Sequence, residues 1–508
     1  LKSGSLLLTN GNLVTLDERR PHASAMWVVD GRIRAIGGNE VAGGVSGDVM
    51  RVDLGGRCVV PGFCDSHVHL FAYGEQLLRQ ADLVGVGDVE EMLGRLVEVG
   101  GRTAAGWIVG YGFDQSKMKE KRFPTREELD RVSRTRPVIV SRVCGHAAVV
   151  NSAALAMVSA EERRAGDEVN GFYTETAIDA FIRKVPALSE EEMEEAILAA
   201  CAVALRTGIT SVHALLDTPE QMIGYARLHR KGKLPIRVVG MPQYASVEKL
   251  HGLGMGTGFG DDWLRFGAAK FFSDGSLGAQ TALLSEPYAD KAGELGIRIY
   301  EPEDLKWKCR DAQRRGFQIA IHAIGDQALR ESLDAIEFAL DGEDNRVHRH
   351  RIEHASLVPP DCLERLLKNR IVVTCQPQFV TSDTWTGERI GPERVPWAYP
   401  FKTLMEAGVP ITLSSDCPVE KMDAFDCIAA AVGRAEWSPA ETLTPEEAIG
   451  AYCLGSAYAG HMDDRVGSLE VGKLADFVVL SEDPTKMDAQ GIRQLKAEQV
   501  YLDGIRVI

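Results

Sequence analysis

The sequence predicts an α/β protein: a barrel of parallel strands, a subdomain inserted near its start, and a small β-sandwich built from both chain ends. Three observations carry this expectation. From about residue 61 to 463, apolar strand-like runs alternate with capped helical stretches, the pattern of parallel strands joined by crossover helices. The two ends differ in texture, with short strand-like bursts punctuated by Asn10-Gly11, Asp30-Gly31 and Asp503-Gly504, which are hairpin signals. Polar residues of metal-binding type stand singly where apolar runs stop, the position at which a parallel barrel keeps its active site.

The candidate strands are 58–64, 209–213, 236–241, 266–272, 318–322, 350–354, 371–375 and 410–415, and eight of them suit a (β/α)8, or TIM, barrel. Caps announce the helices. Ser189 with Glu192 opens one whose Met193, Ile197, Cys201 and Leu205 share a face before Gly208 ends it, and Thr444-Pro445-Glu446-Glu447 opens another. The interval from about 71 to 188 is far too long for a βα connection, so it carries structure of its own. Inside it, Thr125 with Glu128 caps a helix, and Pro137–Val143 reads as a strand leading into Gly145-His146. Residues 1–60 and 464–508 are each too short to fold well alone and are expected to pair into one composite β-sandwich.

Composition excludes some functions. Fifty-seven Lys and Arg against 73 Asp and Glu leave a formal charge of −16, a field that repels phosphate backbones and anionic lipid. No nucleic acid and no membrane are expected as partners; a small-molecule substrate is, and a homodimer is compatible. None of the ten cysteines falls at C-x-x-C spacing and several sit inside apolar runs, which fits reduced, buried thiols. Leu1-Lys2-Ser3-Gly4 begins no signal peptide and no window has the apolar length of a membrane span, so the expected location is cytoplasmic.

The stretch Val59-Val60-Pro61-Gly62-Phe63-Cys64-Asp65-Ser66-His67-Val68-His69-Leu70 organises the chemistry. Strand alternation points His67 and His69 the same way, as a chelating pair would be, although an isolated His-x-His can equally be two histidines bonded to core carbonyls. Lys270, His322, His354 and Asp416, each at the end of a further apolar run, favour the metal reading. No P-loop, G-x-S-x-G elbow or Rossmann glycine pattern offers a different chemistry.

Pro-Gly-Phe-x-Asp-x-His-x-His, a strand-end Lys, two separate strand-end His and a late Ser414-Ser415-Asp416 together resemble the amidohydrolase superfamily of metal-dependent hydrolases. The long insertion, Gly145–Ser152 and Lys270–Ser276 are similar to the amidohydrolase-3 group, which includes deformylases of N-substituted formamides. The resemblance implies that His67 and His69 bind one metal, His322 and His354 a second, Asp416 the first, and that Lys270, carboxylated by carbon dioxide, bridges both. The plainer alternative for Lys270 is an ion pair with a carboxylate such as Asp274. Imidazole and carboxylate ligands suit Zn²⁺, one ion or two, without excluding other transition metals. A metal lowers the pKa of its water, and Asp416 would be general acid/base as well as ligand. Hydrolysis of a non-peptide C–N bond is the expected reaction. The alternatives are a lactonase or phosphoesterase on the same site, and a non-catalytic scaffold, which should have lost part of the ligand set.

Substrate choice is expected in loops above the barrel. His146, Tyr173 and Glu175 in the insertion and His213 at the end of the second strand are candidate substrate-binding residues, with Asn151 beside them. Trp107, Phe113 and Trp385 could supply an apolar wall. His350 shares strand parity with His354 and could support the site from behind, whereas Cys417 reads as packing.

Overall fold

The computed structural model describes residues 4–508 except 46, 103–105, 116, 144–146, 175–176 and 435–437. The chain divides into two compact units: Leu1–Leu70 with Cys201–Ile508, and Phe71–Ala200.

Among the described residues, nine strands of the first unit run parallel apart from the sheets of the chain ends: β1 (Phe63–Val68), β2 (Ile209–Leu216), β3 (Arg237–Pro242), β4 (Leu264–Phe266), β5 (Ala269–Phe272), β6 (Ile319–Ala323), β7 (Arg351–His354), β8 (Val372–Cys375) and β9 (Ile411–Leu413). They form two ladders, β1-β2-β3-β4 and β5-β6-β7-β8-β9. Every residue of β1, β2 and β3 is buried, as expected of parallel strands covered on both faces. One isolated parallel bridge, Gln243 to Lys270, joins the end of β3 to β5. On the other side the Asp416 N–H donates to the His67 carbonyl at 2.9 Å. Among the described residues the strands therefore form two ladders rather than the single closed ring that the sequence predicts.

Two of the predicted strands are each two strands in the structure, and a glycine stands at both breaks. Cys58–Pro61 belongs to a terminal sheet; then the Gly62 N–H donates to the Asp476 carbonyl, and the Phe63 N–H to Gly208 at the start of β2. A side chain at Gly62 would lie 2.1 Å from Thr210 Oγ1, so this change of partners excludes a Cβ. The run 266–272 breaks likewise at Gly267, where a Cβ would meet Val239 at 2.6 Å.

Strands from both chain ends meet in one sheet of six, in which Phe477–Leu480 runs antiparallel to Cys58–Pro61, itself beside Asn12–Val14. A second sheet of four contains Leu6–Thr9, Ala25–Val29, Arg32–Gly37 and Met50–Asp53. Leu6, Leu8, Met26, Val28, Val59, Phe477, Val479 and Tyr501 from the two sheets form one apolar cluster. Below it, at the start of β3, the buried Arg237 donates from Nε and Nη2 to both oxygens of Asp476, from Nη2 to Asp503, and from Nη1 to the Asp262 carbonyl.

The unit Phe71–Ala200 has its own five-stranded sheet, ordered Phe172–Thr174, Ala147–Val150, Val138–Arg142, Ile108–Phe113 and Gln80–Asp82. Phe113 and Val140 belong to one apolar cluster and Trp107, Ile139, Tyr173 and Phe181 to another. Thr125 and Glu128 form the capping box that opens Arg126–Val132. Among the described residues no helix is long and apolar enough to cross a membrane.

Candidate metal centre

The C-terminal ends of β1, β6 and β7 and the segment after β9 bring His67, His322, His354 and Asp416 together. The His67 and His354 rings are 5.0 Å apart and those of His322 and His354 4.4 Å. Alternation along β7 would send His354 to the face opposite Arg351 and Glu353. Instead the backbone turns left-handed at His354 (φ +75°) and Ala355 (φ +43°), which brings the imidazole back beside His67 and His322. Asp416 is left-handed too, at φ +55°. Each such residue costs roughly 1–2 kcal/mol, strain of a kind that clusters at functional sites.

Hydrogen-bond partners fix how each imidazole is protonated. His67 Nδ1 faces the Glu353 carboxylate, which can only accept, so Nδ1 carries a hydrogen, and in the neutral ring the lone pair is then at Nε2. That Nε2 lies 3.3 Å from Asp416 Oδ1. His354 Nδ1 is 2.8 Å from Gln376 Oε1, whose amide orientation is set because its Nε2 donates to the Thr374 carbonyl and to Ser414 Oγ. His354 therefore also presents a lone pair at Nε2. His322 Nε2 donates to the Gly275 carbonyl at 3.0 Å, which leaves Nδ1 as its lone pair. His69 Nε2 stands 3.7 Å from Asp416 Oδ1, and its Nδ1 is 3.6 Å from Asp217 Oδ2.

One ligand atom from each of His67, His354 and Asp416 falls within 4.8 Å of the others. Asp416 Oδ1 is buried and, among the described residues, receives no hydrogen bond. Burial, with His322 beside it, pushes His354 well below the ordinary imidazole value, and burial, with Lys270, takes His322 down to about 3. Imidazole nitrogens and a carboxylate oxygen converging in a buried site are what a cation requires. The donor set therefore fits a divalent metal.

Lys270 is buried, and its Nζ has no hydrogen-bond partner among the described residues. Burial lowers its amine to about 8. The ion pair with Asp274 is not formed, because that carboxylate instead accepts the N–H groups of Leu283, Ile324 and Gly325.

Comparison with known proteins agrees with this geometry. The Amidohydrolase family matches residues 51–508. The chain belongs to that family. Over 97% of its length this amidohydrolase is 31% identical to a putative amidohydrolase, YtcJ, from Bacillus subtilis, with 97% of that protein covered. It is 27% identical to the N-substituted formamide deformylase of Arthrobacter pascens, over 98% of this chain and 97% of that one. The crystal structure of an uncharacterized metal-dependent hydrolase from Pyrococcus furiosus superposes with a TM-score of 0.83 at 34% identity, covering 95% of this chain and all of the other. Family and donor set agree on a metal-dependent hydrolase.

Several expected substrate residues of this amidohydrolase have other duties. His213 is sealed inside the first unit: its Nδ1 accepts from Arg351 at 2.9 Å, and a Cβ on Gly460 would lie 2.5 Å from its Nε2. Tyr173 is wholly buried against Phe181, with its hydroxyl donating to the Arg163 carbonyl, so it exposes nothing to a substrate. Trp107 and Phe113 are core side chains, and Asn151 caps Ser152–Leu155 while bonding Val138, Ser133 and Arg136. His350 supports the strands, accepting from Ile319 N and meeting Gln313. His146 and Glu175 lie outside the described residues.

Five residues absent from the predicted site touch it. Glu353 and Gln376 back the two facing histidines, and Asp217 stands beside His69. Asp65 accepts from Ser415 N and Oγ, linking β1 to the Asp416 segment, and burial raises its carboxyl to about 6. Arg351 grips Glu353. For Arg351 and Glu353 a signal existed: opposite charges two residues apart inside a buried strand share a face.

Proposed function

We propose that this amidohydrolase hydrolyses a non-peptide, amide-type C–N bond of a small molecule at a centre held by His67, His69, Lys270, His322, His354 and Asp416. The observation that carries this reading is the buried Asp416 Oδ1, without a hydrogen bond among the described residues, 3.3 Å from His67 Nε2. Imidazole and carboxylate donors favour Zn²⁺, and the two groups of histidines have room for one ion or two. Such an ion would acidify a bound water and polarise a carbonyl. Asp416 accepts a proton at its carboxylate and returns it to the departing nitrogen. Lys270 has no acceptor to satisfy; as a carbamate, formed with carbon dioxide and loss of a proton, it becomes an anionic two-oxygen donor.

In the same reading the two parallel ladders are the halves of one barrel, the sheets of the chain ends are its sandwich, and Phe71–Ala200 is its insertion. A formamide deformylase among the relatives puts N-substituted formamides first among candidate substrates. The test is elemental analysis of the purified protein together with a panel of N-substituted formamides, N-acyl amines, cyclic amides, lactones and phosphotriesters. Turnover of amide substrates is expected. Activity confined to lactones and phosphotriesters would overturn the C–N reading.

A further inference from the structure

We infer that Glu353, clamped by Arg351, is the positioning residue that fixes His67 in its metal-binding tautomer. The inference rests on the metal reading above and adds what prepares one of its ligands. Glu353, Arg351 and His67 are all but fully buried, with side-chain exposures of 0%, 1% and 1%. Arg351 donates from Nε to Glu353 Oε1 and from Nη2 to Oε2, so both oxygens are held and the carboxylate cannot rotate. The same Nη2 donates to the Ser66 carbonyl and to Thr374 Oγ1, and Nη1 to His213 Nδ1. The guanidinium thus spans both parallel ladders, and it leaves Glu353 one outward task, to accept from His67 Nδ1.

A buried ion pair needs a reason to exist. Two desolvated charges often stabilise a core no better than apolar residues of the same volume. The geometry here supplies a reason, since an anion behind Nδ1 admits no hydrogen-bonded tautomer except Nδ1–H, and it raises the basicity of Nε2. His354 has the neutral Gln376 in the equivalent place. His67 is therefore the more strongly prepared of the two facing donors.

The experiment measures Zn²⁺ affinity by competition with a chromogenic chelator for the wild type, Glu353→Gln and the double variant Arg351→Met/Glu353→Gln, which leaves no unpaired buried charge. Affinity should fall about 10- to 100-fold in both variants, with circular dichroism unchanged. ¹⁵N-histidine NMR of the metal-free proteins should show His67, assigned by its loss in His67→Ala, as Nδ1–H in the wild type and as a tautomer mixture in the double variant. A wild type that binds no divalent metal overturns the metal reading itself. A wild type that binds, with variants within about twofold of it or with the His67 tautomer unchanged, overturns this inference alone. Should neither variant fold, the wild-type spectrum decides, and an Nε2–H signal for His67 would refute the proposal.

Discussion

Two buried charged clusters of the first unit invite comparison. Around Arg237, three donating nitrogens meet the Asp476 and Asp503 carboxylates and the Asp262 carbonyl, and the cluster joins β3 to the sheet of the chain ends. Around Asp416, imidazole nitrogens meet a carboxylate, Lys270 Nζ has no acceptor among the described residues, and the backbone is left-handed at both His354 and Asp416. Both clusters centre on side chains withdrawn from water, Arg237 in one and Asp416 in the other. What separates them is satisfaction: matched donors and acceptors hold a fold, whereas buried groups left unmatched need a ligand.

The largest effect should come from the unmatched cluster. Asp416→Ala is expected to lower kcat/KM by about 10²–10⁴-fold, the usual worth of a positioned acid/base, and to reduce metal content while leaving thermal unfolding of the metal-free protein unchanged. A variant that stays active would place Asp416 with the structural cluster. Arg237→Met should do the converse. It strands the buried Asp476 carboxylate and the part-buried Asp503 and should cost about 3–5 kcal/mol of stability, read by urea denaturation, with metal stoichiometry intact. Metal loss in a folded Arg237→Met protein would blur the distinction.

Removal of metal tests the same contrast more gently. Dialysis against a chelator should destabilise the wild type by about 2.7 kcal/mol relative to protein in free metal at one hundred times Kd, and readdition should restore it. Because the clusters are separate, Arg237→Met should lose the same increment on stripping, since independent sites add. An increment that vanishes in Arg237→Met would mean that the two clusters are coupled.

The strand-end positions of His67 and Asp416 can be read from the sequence because an apolar run stops just before each, whereas Lys270 and His322 lie inside runs that continue past them and His354 follows Arg351 and Glu353. The orientation of His354 cannot be so read, since it depends on φ at one residue, which strand alternation does not encode. Continuous apolar runs also conceal where one strand becomes two. Gly62 and Gly267 mark those breaks only once the neighbouring Thr210 and Val239 are in place. His213 shows a further limit: the strand expected to end there runs on to Leu216, and the Arg351 guanidinium on its Nδ1 marks it as part of the interior.

Tyr173 extends the comparison to the Phe71–Ala200 unit, where an aromatic in a polar stretch reads as pocket lining until its neighbours are known. Its ring lies 4.6 Å from that of Phe181, and its hydroxyl donates to the Arg163 carbonyl at 2.9 Å, so it belongs with the matched groups. Tyr173→Phe keeps the ring and removes one hydrogen bond, leaving the Arg163 carbonyl its backbone donor Gly166. The expected cost is about 1 kcal/mol of stability, with KM and kcat unchanged on every substrate found. A raised KM at unaltered stability would return Tyr173 to the substrate and show that satisfaction of a buried hydroxyl does not by itself separate structural from functional side chains in this amidohydrolase.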